Sequence, residues 1–257
     1  DIRIGDLATI ERAGDVIPHI LSVDKTKRDK KSLKFIFPKK CPSCGSKTIK
    51  EFNNVTKKED AVRRCLRGYD CDYTAKEKLK HIVSKEAFNI DGLGKKVIEQ
   101  LWNLKIIKFP ADIFNLDYNQ ILKLEGWGSL SIQNLKNAVK KASSIFLDKF
   151  IYSVGIRHIG QENAKIIGNF FISIDNFSNL FNPLKREKLL NNLNELDGIG
   201  NTQILSINNF FANQKNVEVI KALIGVLQIK NFKIINKKGK FSSKSLMFTG
   251  GFEKMSR

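Results

Sequence analysis

Four cysteines are the only thiols in this 257-residue chain, and all lie between positions 41 and 71, as Cys41-Pro-Ser-Cys44-Gly45 followed by Cys65 and Cys71. A Cys-x2-Cys turn with a small residue after it offers two thiolates to one tetrahedral ion, and a second pair returning from a hairpin closes the coordination sphere. Four protein ligands leave no open position. Such an ion, expected to be zinc, supports folding and does no chemistry. The alternative is a pair of disulfides, which the lack of any other cysteine, of a signal-peptide pattern and of an apolar run of about 18 residues disfavours. His81 is not needed as a ligand and reads as a capping or surface histidine.

A second set of residues recurs four times: Ile90-Asp91-Gly92-Leu93-Gly94, Leu124-Glu125-Gly126-Trp127-Gly128, Ile156-Arg157-His158-Ile159-Gly160 and Leu196-Asp197-Gly198-Ile199-Gly200. Glycine enters a left-handed turn cheaply and lets another backbone approach. The helix that follows begins with unbonded N–H groups and the positive end of its dipole, together a sequence-blind cradle for one phosphate. Four cradles point to a nucleic-acid backbone. Asp91, Glu125 and Asp197 would repel phosphate if they faced it, so they are expected to accept hydrogen bonds within their own turns. In the third copy His158 replaces the first glycine, and that turn is expected to differ. The competing view makes all four copies scaffolding, with glycines that only cap helices and permit close packing.

The elements that carry these turns are legible from the same register. Taking the second glycine as zero, position −4 reads Ile90, Leu124, Ile156, Leu196, and −1 reads Leu93, Trp127, Ile159, Ile199. Position +4 reads Ile98, Ile132, Ala164, Ile204, and +7 reads Leu101, Leu135, Ile167, Ile207. All are apolar, and the +4/+7 spacing is one face of a helix after each turn. Spacings of 34, 32 and 40 residues suit a unit that must pack on its neighbours to bury that face. Before them, residues 1–37 alternate as β-strands, with Pro18 marking a strand end and Leu33 to Phe37 a short apolar run. Residues 38–75 hold the cysteine module, and the helical period runs from about 76 to about 230. A basic linker and a strand entering a tight turn occupy 237–257. Both ends read as truncated, so the chain is expected to be an excerpt of a longer protein.

Net charge is +19, which attracts polyphosphate through counterion release. Abundant Lys, Asn, Ile and Phe are also what an AT-rich genome imposes, so distribution is the better guide. Residues 25–80 carry 18 Lys+Arg against 7 Asp+Glu, more than half of the whole excess, focused around the cysteines.

Four strings resemble the bacterial NAD-dependent DNA ligase family. Residues 4–18 (IGDLATIERAGDVIP) are similar to the end of its OB-fold domain, 41–46 (CPSCGS) to the start of its zinc finger, and 79–94 (LKHIVSKEAFNIDGLG) to the junction into its helix-hairpin-helix domain. Residues 246–257 (LMFTGGFEKMSR) resemble the opening of its BRCT domain. The resemblance implies a multidomain, mainly α chain: the C-terminal part of a β OB-fold (1–37), a four-cysteine zinc finger (38–75), four helix-hairpin-helix motifs (76–236), and a linker with the truncated start of a BRCT domain (237–257). It implies structural Zn2+ on Cys41, Cys44, Cys65 and Cys71. It further implies duplex backbone contacts around a nick at Gly92, Gly94, Gly126, Gly128, Gly160, Gly198 and Gly200. Arg12, Val16 and Ile17 would lie at the DNA surface, the arginine on a phosphate and the apolar pair against the minor-groove sugar edge. Departures from the family pattern are Asp72 after the last cysteine, Lys85, Phe88 and His158.

The family's Lys-x-Asp-Gly string, whose lysine attacks NAD, does not occur; Asn89-Ile-Asp-Gly92 imitates it without an amine. No catalytic residue is therefore expected here, and NAD and Mg2+ would be held elsewhere in the complete enzyme. The expected role is to clamp nicked double-stranded DNA for sealing in replication and repair, as a cytoplasmic, nucleoid-associated monomer with no membrane contact. The alternative is a non-catalytic helix-hairpin-helix and zinc-ribbon scaffold of DNA repair. A helix-hairpin-helix glycosylase would need a catalytic lysine or aspartate just after a hairpin, and nothing after Gly128 or Gly200 fits.

Overall fold

The computed structural model describes residues 2–14, 17–53 and 57–233. Val16 and the linker and BRCT-like segment at 237–257 lie outside the described residues. The chain divides into two compact units, Asp1–Cys71 and Asp72–Arg257.

The first unit holds two antiparallel hairpins. Strands β1 (Leu7–Ala13) and β2 (Ile17–Asp24) pair with Leu7 opposite Asp24 and Ala13 opposite Ile17, with a bulge after Thr9. Pro18 does not end a strand but lies inside β2, opposite Arg12. A two-stranded ribbon consists only of edges, where a missing N–H is tolerated. Leu33 to Phe37 forms no strand either; it runs exposed, with the Phe35 and Phe37 rings edge-on at 4.8 Å, because no described strand pairs with it. Asp6 latches the start of the unit to the loop after β2. It accepts two 2.7 Å bonds from the Arg28 guanidinium, while Arg3 Nη1 donates to the Ser32 carbonyl at 2.7 Å. Strands β3 (Ile49–Asn53) and β4 (Lys58–Arg64) form the second hairpin. The buried side chains described in this unit are Cys41, Thr48, Tyr69 and Cys71. That is too little apolar burial to hold a fold, so the thiolate cluster stands where a hydrophobic core would.

The second unit is helical. Its helices are α1 (Asp72–Val83), α2 (Lys95–Asn103), α3 (Tyr118–Leu122), α4 (Ser129–Ala142), α5 (Leu147–Ser153), α6 (Gln161–Phe171), α7 (Ile174–Ser178), α8 (Pro183–Asn194), α9 (Asn201–Ala212) and α10 (Gln214–Gly225). The pairs α1/α2, α3/α4, α5/α6 and α8/α9 each flank one of the four glycine turns. All sixteen apolar register positions are buried in one hydrophobic core or packed half-buried against it. Polar side chains start the linking helices: Asp117 accepts from the Asn119 and Gln120 amides before α3, and Asn182 from Leu184 and Lys185 before α8, where Pro183 takes the first helical position.

Two features are invisible to helical periodicity. Strand β5 (Ser144–Phe146) pairs in parallel with β6 (Gln228–Lys230), so the chain returns after α10 to the middle of the unit. Just beyond, Phe232 donates its N–H to the Ile172 carbonyl at 2.8 Å and covers α6 where Gly168 permits it; a Cβ there would stand 2.9 Å from the Phe232 ring. Arg186 is 8% exposed. Its guanidinium donates to the Leu180 and Phe211 carbonyls and to Asn208 Oδ1 at 2.8–3.2 Å, tying the turn before α8 to the end of α9.

Candidate nucleic-acid interface and metal centre

The two glycines of each turn do different work. The first has a left-handed backbone, with φ of +89° at Gly92, +84° at Gly126 and +88° at Gly198. His158 takes the same region at +61°, so the third hairpin keeps the turn that its sequence was expected to alter. Histidine is among the few non-glycine residues enriched there. In all four copies the residue after this position donates its N–H to the carbonyl three back: Leu93 to Ile90, Trp127 to Leu124, Ile159 to Ile156 and Ile199 to Leu196, at 3.1–3.3 Å.

The second glycine is the N-cap of the following helix and is extended: Gly94, Gly128, Gly160 and Gly200 have φ of −68°, −119°, −81° and −118°. Any residue adopts that conformation. Nor does packing demand glycine: a Cβ at Gly94, Gly128 or Gly160 would meet nothing within 4 Å, and at Gly200 only the Gln203 side chain at 3.6 Å. Serine, threonine, aspartate or asparagine is the usual N-cap because its side chain occupies the amides of the next turn. With glycine in all four places, the N–H groups of Lys95 and Lys96, Ser129 and Leu130, Gln161 and Glu162, and Asn201 and Thr202 have no acceptor among the described residues. Ser131 Oγ and Gln203 Oε1 bond the cap amides of Gly128 and Gly200 themselves, at 2.9 and 3.2 Å, which tightens the turn without covering the next two donors.

The first turns of α2, α4 and α9 carry no acid that would repel an anion, a property they share with α3, α8 and α10, whereas those of α1, α5 and α7 carry Asp72, Asp148 and Asp175. The third hairpin is the exception. Its α6 begins with Glu162, paired to Lys165 at 2.7 Å, and Arg157 Nε lies 2.8 Å from His158 Nε2. Asp91, Glu125 and Asp197 do not close their turns as expected: they are exposed and accept no hydrogen bond among the described residues, because the backbone bond already closes each turn.

The turns also pack in two couples. A Cβ on Gly92 would touch Leu135 of α4 at 3.6 Å, and Trp127 Nε1 donates to Gln100 Oε1 of α2 at 3.5 Å. A Cβ on Gly198 would stand 2.8 Å from Ile166 of α6. Hairpins one and two thus interlock, as do three and four.

In the first unit, Arg12 and Ile17 come together at the tip of the β1–β2 hairpin, both exposed. Ladder alternation places them on opposite faces, with Arg12 sharing its face with Pro18.

The four cysteine sulfurs lie within 4.8 Å of one another. Cys41 Sγ is 3.9 Å from Cys71 Sγ and Cys44 Sγ 3.6 Å from Cys65 Sγ, so neither pair is a disulfide. Sulfurs at the corners of a tetrahedron about 2.3 Å from an ion stand about 3.8 Å apart, so the quartet fits a four-coordinate metal. The Ser46 hydroxyl, then the Ser46 N–H, hold the Cys44 thiol below its ordinary range. His81 is neither ligand nor surface residue. Half-buried, it donates from Nε2 to the Tyr152 carbonyl at 2.9 Å and packs edge-on against that ring, joining α1 to α5.

Paired, glycine-turned helical hairpins define a helix-hairpin-helix protein, with four clustered cysteines in the other unit positioned to hold a metal ion. Residues 149–220, spanning the third and fourth hairpins, match the helix-hairpin-helix motif family. Over its full length the chain is 53% identical to a DNA ligase of Pelagibacter ubique, and 38% identical to DNA ligases of Rickettsia bellii and of Wolbachia pipientis. The chain spans 38% of the length of each of these relatives. From end to end, it is homologous to a segment of the DNA ligases.

Proposed function

We propose that this chain is the DNA-clamping portion of an NAD-dependent DNA ligase, one that seals nicks between a 5′-phosphate and a 3′-hydroxyl in duplex DNA during replication and repair. Its DNA is held through the backbone. At each hairpin the first two amides of the following helix donate to one phosphate, which the N-cap glycine lets approach. The observation that carries this reading is the set of four N-cap glycines that neither φ nor internal packing requires. The ligase relatives supply the biological setting. Gly92, Gly126 and Gly198 shape the turns, Gly94, Gly128, Gly160 and Gly200 admit the phosphate, and the third hairpin contributes least because Glu162 opens its helix. Arg12 reaches a phosphate near the nick while Ile17 and Val16 pack against sugar edges. Cys41, Cys44, Cys65 and Cys71 hold one structural zinc, which supplies folding energy to the first unit and takes no part in bond making.

By positioning both sides of the nick, these residues contribute orientation to a transfer reaction. NAD and Mg2+ act at sites elsewhere in the enzyme, and these 257 residues seal nothing on their own. The protein works as a monomer in the bacterial cytoplasm, at the nucleoid.

The test is binding of the chain to labelled nicked duplexes of several sequences over a range of salt. The expected result is similar affinity for every sequence, falling linearly on a log–log plot by about 0.9 for each phosphate neutralised. A flat salt response, or strong preference for one base sequence, contradicts the reading.

A further inference from the structure

The four sulfurs do not share one environment. Cys41 and Cys71 are 7% and 1% exposed, whereas Cys44 and Cys65 are only half-buried. On that more open half stands Ser46, its Oγ 3.0 Å from Cys44 Sγ and 3.4 Å from Cys65 Sγ. Its backbone is fixed, for the Ser46 carbonyl accepts the Cys41 N–H at 2.7 Å and so closes the knuckle. A metal-bound thiolate has no proton to give, so both sulfurs are acceptors and the hydroxyl is the donor. One proton then serves two thiolates.

We infer that Ser46 is a positioning residue of the metal centre, whose hydroxyl hydrogen-bonds the Cys44/Cys65 edge, draws charge from those two thiolates and protects their metal–sulfur bonds. The inference rests on the reading that the quartet holds zinc. Its physical basis is that a bound thiolate loses its metal by attack from a proton or electrophile, and attack is governed by charge on sulfur and by access. Access favours the open edge. Cys41 and Cys71 are shielded by burial, whereas the half-buried Cys44 and Cys65 share the hydroxyl of Ser46, which lowers the nucleophilicity of both. Partners one step beyond the ligands commonly alter metal affinity by about 10–100-fold.

Two measurements on the full chain test it: the rate at which zinc passes to a chromogenic chelator, and the sulfur-to-metal charge-transfer absorption of the Co2+-substituted protein. Ser46→Ala is expected to lose zinc about tenfold faster. It is also expected to shift the absorption to lower energy, since unbonded sulfur lone pairs lie higher. Ser46→Thr, which restores the hydroxyl, is expected to return both to wild-type values. If Ser46→Ala takes up no cobalt while Ser46→Thr behaves as wild type, the hydroxyl is required for loading and the inference stands. It is overturned if Ser46→Ala matches wild type in both measurements, or if Ser46→Thr fails as Ser46→Ala does. Wild-type protein that binds neither Zn2+ nor Co2+ overturns the zinc reading itself, a distinguishable result.

Discussion

Replacing Gly128 by alanine separates what the second glycine does for the fold from what it does for a ligand. At φ −119° and ψ 173°, with nothing within 4 Å of the added Cβ, the substitution meets no strain and no clash. Alanine is a poorer N-cap than glycine by up to about 1 kcal/mol, which a less flexible unfolded chain offsets by about 0.4–1 kcal/mol, so stability should change by no more than about 1 kcal/mol in either direction. In the proposed cradle the methyl would stand in the path of a phosphate approaching the Ser129 and Leu130 amides. Hydrogen bonds to a charged group contribute about 1.5–3 kcal/mol each. Losing or lengthening them should cost about 2–3 kcal/mol, roughly 30- to 150-fold in Kd. Gly126→Ala is the contrasting control. Its Cβ is also unobstructed, but φ is +84°, so it should cost about 1–2 kcal/mol of stability. The assay pairs urea unfolding followed by far-ultraviolet circular dichroism with fluorescence anisotropy on a labelled nicked duplex at fixed salt. The reasoning is refuted if Gly128→Ala binds DNA as wild type does, or if it loses about 2 kcal/mol of stability.

Other expectations concern the supports of the fold. Arg186→Ala should destabilise the helical unit by about 1–3 kcal/mol, measured by urea unfolding, because two carbonyls and the Asn208 side chain lose a donor in a buried site. The Arg28 hydrogen bonds hold the Asp6 carboxyl at about 2, below its usual 3.8. A depressed carboxylate pKa adds stability that is complete above the unfolded value and lost as pH falls through the folded one. The Asp6–Arg28 latch should therefore release between about pH 4 and pH 2, with the Asp6 carboxyl carbon chemical shift titrating in that window; a midpoint near the unfolded value would deny the latch. Stripping the metal with a strong chelator should disorder the first unit and leave the helical signal of the second nearly intact, since the buried apolar core lies there. Loss of most helicity on chelation would contradict that separation.

Much of the helical unit was legible in the sequence because a repeated apolar register and a repeated glycine turn point to the same packing. Each of the sixteen positions had one physical reason to be apolar, and each is buried or half-buried. The cysteine quartet was legible for a similar reason: thiolate spacing alone limits what the residues can share. Other features depend on partners distant in the chain. The β5–β6 pair joins segments some 84 residues apart, so no local period announces it. Arg186 reads as one more surface cation on a polar helix until Leu180 and Phe211 supply its acceptors. His81 lacked only its partner, Tyr152. Leu33 to Phe37 had the composition of a strand but no described neighbour to pair with, and Pro18 sat in a ribbon whose edges ask nothing of its nitrogen. The sequence also suggested one role for all the glycines. Backbone geometry divides them into turn-formers, which His158 can replace, and extended caps, which neither φ nor packing requires to be glycine.

Amide hydrogen exchange in the presence and absence of nicked duplex DNA tests the phosphate cradles most directly. The amides of Lys95 and Lys96, Ser129 and Leu130, and Asn201 and Thr202 are expected to exchange quickly in the free protein, where they have no acceptor among the described residues, and to become protected together when DNA binds, with Gln161 and Glu162 protected less. Protection confined to exposed lysine-rich loops, with those amides exchanging as before, would contradict it.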